Sequence, residues 1–209
     1  MKSKHEVENS RVYMMDCMEF MKDLPDGYFD LACVDPEFGI GISKSPRLVT
    51  DKGRTAKTWD DKPIDSKYFD EIFRVSFNQI IWGGNYFSLP PNKHCIIWDK
   101  QQPEKLSFGM FDYAWTSYNG SNKIFRQSVQ SELNKIHECQ KPVKLYDWIF
   151  KNYLPDGGKV FDSHLGSGSS RIAADKAGNI DFTGTEIDED YFKASVDRFN
   201  KYKSQLTLF

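Results

Sequence analysis

Cysteine is scarce in this chain, and its four copies, Cys17, Cys33, Cys95 and Cys139, lie far apart without a C-x-x-C pair. This spacing argues against a zinc site or a disulfide framework and favours reduced thiols. Long hydrophobic stretches are also missing. No run approaches the roughly 20 apolar residues of a membrane helix, and the first residues lack the apolar core of a signal peptide. These absences predict a cytoplasmic protein without a membrane segment or a metal centre.

Excess charge of either sign is absent as well. The 209 residues include 28 basic and 30 acidic side chains, and the formal net charge is −2. Contact with a polyanion would therefore depend on local basic patches and not on overall charge. The length suits one hydrophobic core, so we expect a single domain over residues 1–209.

The chain does contain an alternation of β-rich and helical segments. Helical patterns cover 68–76, 143–153 and 171–177, and a last helix that starts at the cap Asp188 carries an apolar stripe. The segments with strand patterns are 11–15, 29–34, 79–82, 95–98, 113–117, 159–161 and 182–187. This alternation predicts an α/β fold.

Two basic stretches fit neither pattern. Residues 43–62 contain six lysines and arginines, and residues 119–140 contain Lys123, Arg126 and Lys135 among polar neighbours. Loops this long in compact domains are usually functional or disordered. We expect two mobile basic loops, either as solvated surface or as contacts to an anionic ligand.

Gly166 and Gly168 lie in a loop between the strand pattern 159–161 and a helix. Glycines there let the backbone turn sharply and approach a ligand closely, as at nucleotide sites. Glu186 ends the next strand about twenty residues further on, where a carboxylate can accept hydrogen bonds from ribose hydroxyls. The pattern predicts a nucleoside site. A dinucleotide is disfavoured because Arg171 replaces the third glycine of G-x-G-x-x-G and because the loop comes late in the chain.

The second motif is the turn Asp35-Pro36-Glu37-Phe38-Gly39-Ile40-Gly41. An exocyclic base amine is a poor nucleophile because its lone pair is delocalised into the ring. A site that methylates it must hold the amine with acceptors, in line with a sulfonium methyl. Asp35 offers one acceptor, a backbone carbonyl near Pro36 offers another, and Phe38 offers a ring on which a flipped base can stack. The turn is therefore a predicted amine pocket.

Together the two motifs resemble those of the amino-group DNA methyltransferases of the permuted (beta) type, in which a DPPY-like motif precedes the S-adenosylmethionine motif. The similarity also covers the segments 80–86, 98–100 and 140–142. This resemblance implies a Rossmann-like α/β fold with a mostly parallel sheet and helices on both faces. It further implies S-adenosyl-L-methionine as cofactor, double-stranded DNA as substrate and a role in restriction-modification.

The resemblance also implies roles for individual residues. Asp35 and Phe38, with Pro36 and Glu37 in the same turn, would hold the target base. Lys141, in a Gln-Lys-Pro segment, would lie near the methionine end of the cofactor. The other residues expected at the cofactor are Asp162, His164, Gly166, Gly168 and Glu186. An initial Asp in the catalytic motif favours adenine N6, and cytosine N4 is the alternative target.

Glu37 departs from the family pattern, which usually has a second proline here. Loss of the ring frees φ and adds a carboxylate near a cationic cofactor. If Glu37 points away, the turn survives. If it points inward, it holds the amine or cofactor differently, or it impairs turnover and leaves a cofactor- and DNA-binding module. We expect retained activity because the other motif residues are intact. For His164, a hydrogen-bonded structural role is favoured over a catalytic one.

The final residues, Gln205-Leu206-Thr207-Leu208-Phe209, resemble the short peptide by which bacterial replication and repair proteins dock on the sliding clamp. The alternative is that the two leucines complete the packing of the last helix. Clamp tethering would raise the effective concentration on DNA and offset the weak overall charge. None of these motifs specifies an oligomeric state.

Overall fold

The computed structural model describes residues 3–41, 60–105, 109–129, 135–137 and 139–206. Most of the basic stretch 43–62, part of the stretch 119–140 and the last three residues of the clamp-like peptide lie outside the described residues.

Nine strands form one sheet in the described ranges. They are β1 (Lys4–Val7), β2 (Ser10–Met14), β3 (Phe29–Val34), β4 (Ser76–Trp82), β5 (Cys95–Asp99), β6 (Phe111–Thr116), β7 (Lys123–Arg126), β8 (Gly158–Asp162) and β9 (Ile180–Glu186). Their spatial order is β1-β2-β9-β8-β3-β4-β6-β5-β7. The five strands from β2 to β4 in this order run parallel, whereas β1 and β6 are antiparallel to their neighbours. The expected mostly parallel sheet is confirmed.

The described helices begin where the sequence supplies caps. They are α1 (Cys17–Met21), α2 (Ser66–Val75), α3 (Val143–Tyr153), α4 (Ser169–Ala177) and α5 (Glu189–Leu206). Carboxylates of Asp16, Asp65 and Asp188 accept hydrogen bonds from the first backbone N–H groups of α1, α2 and α5. Pro142 precedes α3, and left-handed glycines at 168 and 178 flank α4.

Helices cover both faces of the sheet, as the resemblance implies. On one face α1 and α2 contribute Met21, Phe69 and Ile72 to an apolar layer. On the other face α3, α4 and α5 contribute Ile149, Ala173 and Phe192 to a second layer. Burial of each large side chain stabilises the fold by about 1.5–3 kcal/mol before entropy is counted.

Three short elements differ from expectation. The prediction of an irregular loop over 119–140 is wrong for Lys123–Arg126, which forms β7 and pairs in parallel with β5. This edge strand has only four residues, and its side chains are largely exposed, so it lacks an apolar alternation. The strand β1 and the helix α1 were not expected either, because they have only four and five residues, too few to show a clear periodicity.

The two motifs meet at a topological switch point. From β3 the chain continues through α2 to β4, whereas from β8 it continues through α4 to β9, on the opposite side in the sheet order. A crevice opens at the carboxyl ends of two adjacent strands whose connections diverge in this way. The turn 35–41 follows β3, and the glycine loop follows β8. Within the described ranges, no helix combines the length and apolarity needed to cross a membrane.

Candidate active site

A cavity of about 250 Å³ lies at the carboxyl ends of these strands. Six residues predicted for the site line it: Asp35, Glu37, Lys141, His164, Gly166 and Glu186. The other four predicted residues, Pro36, Phe38, Asp162 and Gly168, belong to the same two motifs but do not line the cavity. A second cavity of similar size, between α3 and α4, contains none of the ten. The structure therefore brings most of both motifs to one space.

Asp35 and Lys141 form an ion pair in the cavity wall, in which Nζ donates to Oδ2. The Lys141 side chain is only 4% exposed, and its ammonium lies 5.1 Å from the centre of the Trp82 ring. Burial acts to lower the pKa of Lys141, but the Asp35 carboxylate and other acids outweigh it, and the pKa is raised. The second Asp35 oxygen, Oδ1, is buried and has no hydrogen-bond partner among the described residues. Asp35 thus has a fixed carboxylate in which one oxygen, Oδ1, retains its acceptor capacity.

Glu37 points into the cavity, where its Oε2 lies 3.2 Å from Nε2 of His164. Burial acts to raise the pKa of Glu37, but the imidazole outweighs it and lowers that pKa. For His164, burial acts to lower the pKa, yet Glu37 and other acids raise it. Of the two orientations considered for Glu37, the inward one is found, with its charge opposite a histidine.

His164 is anchored on its other side by hydroxyl groups. Its Nδ1 shares a 2.8 Å hydrogen bond with Ser163 Oγ, which shares a 2.6 Å bond with the Tyr68 hydroxyl. Tyr68 lies on α2 and is 1% exposed. The expected hydrogen-bonded role of His164 therefore has a geometric basis, since both ring nitrogens have partners.

The turn 35–41 is held from outside the cavity by the buried Asp60. The Asp60 carboxylate accepts a hydrogen bond from Gly39 N at 2.8 Å, and its backbone carbonyl accepts one from Gly41 N at 2.9 Å. Ile64 N also donates to the Glu37 carbonyl at 3.3 Å. The turn thus keeps its shape through backbone contacts to the segment that precedes α2.

Phe38 stacks on Tyr86, with ring centres 5.0 Å apart and an interplanar angle of 14°. Glycine is required at position 83, where φ is +69° and an added Cβ would lie 2.0 Å from Phe38 Cε1. Tyr86 is 50% exposed. Phe38 and Tyr86, here called the aromatic platform, therefore extend from the turn to the protein surface.

Asp162 is 3% exposed and accepts hydrogen bonds from both ends of the glycine loop. Its Oδ2 accepts from Ser170 Oγ at 2.5 Å, and its Oδ1 accepts from His164 N at 3.2 Å. Burial raises the pKa of Asp162 to about 6. Within the loop, Gly166 and Gly168 adopt φ of +50° and +70°. Asp162 therefore shapes the loop, and Gly166 presents its backbone to the cavity.

Glu186 ends β9 and ties that strand to the loop. Its Oε2 accepts from Gly166 N at 2.8 Å, and its Oε1 accepts from Asp188 N at 2.9 Å. Burial raises the pKa of this carboxyl. Because each oxygen has a further lone pair, Glu186 can also accept a hydrogen bond from a ligand in the cavity.

Asp16, His137 and Tyr191 line the cavity too, although no motif marks them. Asp16 follows β2, so its place at the carboxyl end of a parallel strand was the available signal. The rings of His137 and Tyr191 lie 4.4 Å apart, a contact between distant segments that local sequence cannot reveal. In the described part of the chain, no group of His, Cys, Asp and Glu has the arrangement of a metal site.

Solved structures of DNA methyltransferases have the same fold. The cytosine-N4-specific PvuII DNA methyltransferase matches with a TM-score of 0.62 at 14% identity, over 92% of this chain and 87% of its own. A putative DNA modification methylase from Thermus thermophilus, complexed with S-adenosyl-L-methionine, matches with a TM-score of 0.59 at 16% identity, over 92% and 93%. The M1.HpyAVI-SAM complex matches with a TM-score of 0.57 at 17% identity, over 90% and 98%.

Sequence comparison points the same way. The Type II methyltransferase M.ScaI of Streptomyces caespitosus is 20% identical, and the alignment covers 94% of this chain and 83% of that protein. Residues 47–197, which are more than half of the chain, match the model of the N6/N4 DNA methylases. This match includes the glycine loop and Glu186 and begins after the turn 35–41. The chain belongs to the N6/N4 DNA methylase family.

Proposed function

We propose that this protein transfers the methyl group of S-adenosyl-L-methionine to N6 of an adenine flipped out of double-stranded DNA. The observation that carries the proposal is the shared cavity, in which Asp35 faces the same space as Gly166 and Glu186. An amine acceptor and a nucleoside-type site within one cavity are what a direct transfer between two bound groups requires. Two of the solved structures of the same fold are complexes with this cofactor.

The residues around the glycine loop fit S-adenosyl-L-methionine. Glu186 retains acceptor capacity for ribose hydroxyls, and Gly166 exposes backbone without a side chain. Five carboxylates line the cavity, those of Asp16, Asp35, Glu37, Glu186 and Asp188. Lys141 and His164 pair with two of them, and the remaining excess of acidic side chains creates a potential that favours a cation. When bound, the cofactor supplies an electrophilic sulfonium methyl.

Asp35 would accept a hydrogen bond from the exocyclic amine through Oδ1. Lys141 donates to the other oxygen, Oδ2, and fixes the orientation of the carboxylate. The bond to Oδ1 draws the amine nitrogen toward a tetrahedral geometry, which frees its lone pair for in-line attack. The aromatic platform offers a stacking surface for the flipped base. The order of the motifs, with the target turn before the glycine loop, supports assignment to the permuted type.

Glu37 does not argue for an inactive module, because His164 compensates its charge. The choice of adenine rests on the initial Asp of the turn. Cytosine N4 is the second candidate, and it is favoured by the likeness to the cytosine-N4-specific PvuII enzyme.

DNA binding is expected to depend on phosphate contacts from the basic stretches. In the described part of 119–140, Lys123 and Arg126 are exposed on the edge strand β7. Each phosphate contact contributes roughly −0.9 to the slope of log K against log salt. Docking of Gln205–Phe209 on a sliding clamp stays a prediction, and undiminished clamp binding after deletion of these residues would contradict it.

The proposal is tested by incubating the protein with unmethylated DNA and isotopically labelled S-adenosyl-L-methionine, followed by digestion and mass spectrometry of the nucleosides. Asp35→Asn is the site variant, and Asp147→Asn, which removes a partner of the half-exposed Lys176, is the matched control. We expect labelled N6-methyladenine from the wild type and the control, and little from Asp35→Asn. Labelled N4-methylcytosine would show that the target is cytosine N4 and not adenine N6. Cofactor binding without any methylated product would overturn the proposed activity.

A further inference from the structure

The pair formed by Glu37 and His164, here called the latch, joins the two walls of the cavity. We propose that the latch positions the target turn 35–41 against the cofactor loop 162–170, and that Glu37 is therefore a positioning residue for methyl transfer. The inference rests on the proposed function for its catalytic consequence, whereas the latch itself is a property of the protein without substrate.

The position of the latch follows from how β3 and β8 pair. Their ladder pairs Leu31 with Val160 and Ala32 with Phe161, near the middle of both strands. Beyond these residues the chains separate into the turn and the loop, and the cavity lies between them. The contact between Glu37 and His164 spans this opening at 3.2 Å. A side chain without a polar group at position 37 could not make it.

His164 is the fixed half of the latch. Its Nδ1 is engaged by Ser163 Oγ and, through that hydroxyl, by the buried Tyr68. The Tyr68 ring also contacts the imidazole edge-on, with ring centres 5.4 Å apart. The backbone N–H of His164 donates to Asp162. With the ring held in this way, Nε2 is presented to Glu37, and movement of the turn is limited by that bond.

Charge makes the latch dependent on pH. The strongest form pairs a carboxylate with an imidazolium, which exists above the lowered pKa of Glu37 and below the raised pKa of His164. Above that range the neutral ring still donates from Nε2, without the charge. The other titratable groups that face the pair are Asp162 on β8, Glu186 on β9, Tyr68 on α2 and Cys17 on α1.

The first experiment detects the latch without requiring activity. The ring of His164 is titrated by NMR in the wild type, in Glu37→Gln and in Glu189→Gln, which removes a surface carboxylate paired with Lys193. Hydrogen exchange is followed at the amides of residues 163–168. We expect Glu37→Gln to lower the pKa of His164 and to speed exchange in the loop, and the control to leave both unchanged. Equal titration and exchange in all three proteins would overturn the inference.

The second experiment measures positioning by single-turnover methylation at saturating cofactor and DNA. Because small misalignments of reacting groups are costly, Glu37→Gln and His164→Gln are each expected to slow transfer at least about tenfold, with cofactor affinity changed less than about threefold. The double variant should be no slower than the worse single variant, since both substitutions weaken the same contact by removing one of its charges. The positioning role would be rejected if the rate losses of the two single variants multiplied in the double variant, or if the variants transferred methyl at the wild-type rate. If the wild type methylates no DNA, the proposed function fails, and the NMR titration still decides whether the latch exists.

Discussion

Replacement of Lys141 by methionine tests the ion pair beneath the proposed amine acceptor. Methionine fills much of the same volume beside Trp82 but leaves the Asp35 carboxylate without its cation. Removing one partner of a buried pair typically costs about 3–5 kcal/mol. The Asp35 side chain is 20% exposed, so water relieves part of this penalty. We therefore expect a loss near the lower limit, about 3 kcal/mol, which corresponds to a fall in Tm of roughly 6–12 °C for a chain of this size.

Urea unfolding at pH 7 measures this loss in Lys141→Met, in Asp35→Asn and in the double variant. The double variant should regain most of the stability, because no uncompensated charge stays buried. Lys176→Met serves as the control, since Lys176 pairs with Asp147 at 3.0 Å while 45% exposed, and such pairs contribute about 1 kcal/mol or less. Methyl transfer is expected to fall in all variants of the pair. A fully stable Lys141→Met, or additive losses in the double variant, would refute the assignment of a buried, coupled pair.

Three further predictions concern the platform, the loop and the acid of β9. Gly83→Ala should destabilise the protein by about 2 kcal/mol or more and impair methylation, because the new Cβ clashes with Phe38. The control Gly178→Ala has a similar φ but open space around the new Cβ, and it should cost only about 1 kcal/mol. Equal losses of unfolding free energy in urea would contradict this prediction. Asp162, with a pKa raised from 3.8 to about 6 in the folded protein, contributes stability below pH 3.8 that is lost as the pH rises through about 6. Between pH 4 and 7, the free energy of unfolding of Asp162→Asn should therefore rise by about 3 kcal/mol relative to that of the wild type. If the difference in stability between the two proteins did not change with pH, the raised pKa of Asp162 would be excluded. Glu186→Gln should weaken cofactor binding at least about tenfold by calorimetry, since a charged acceptor becomes a neutral amide; unchanged affinity would remove Glu186 from the cofactor site.

The sequence predicts the central elements of this fold because their patterns are long and local. The helix at 143–153 was predicted with the bounds that the structure has, since Pro142 marks its start and its apolar spacing is regular. Of the parallel strands, β3 and β4 stand out through the buried apolar runs 31–34 and 80–82. By contrast, β7 has four mostly exposed residues and depends on pairing with β5, which no local pattern encodes.

The candidate site was predictable where backbone geometry demands a residue type. Glycines 166 and 168 have positive φ, and Asp35 follows a buried strand directly. Contacts between distant segments were not predictable, including the partners of Lys141 and Glu37. Arg171 is the clearest case. It is 0% exposed, donates to Ser10 Oγ at 2.7 Å and lies 3.9 Å over the Phe199 ring. Residue type alone would have placed this charged side chain at the surface.

The strand order has a consequence for how the chain folds during synthesis. β2 and β3 are close in sequence, yet β9 and β8 lie between them in the sheet, so they are separated by three spacings, or roughly 14 Å. A ribosome that has produced every element up to α3 has therefore made a sheet with an unfilled gap at its centre, bordered by apolar strand edges. Only when residues 158–186 emerge can the ladder close. Folding of this sheet should thus wait until residues 158–186 have been synthesised, and nascent chains stalled before β8 should bind chaperones strongly or aggregate.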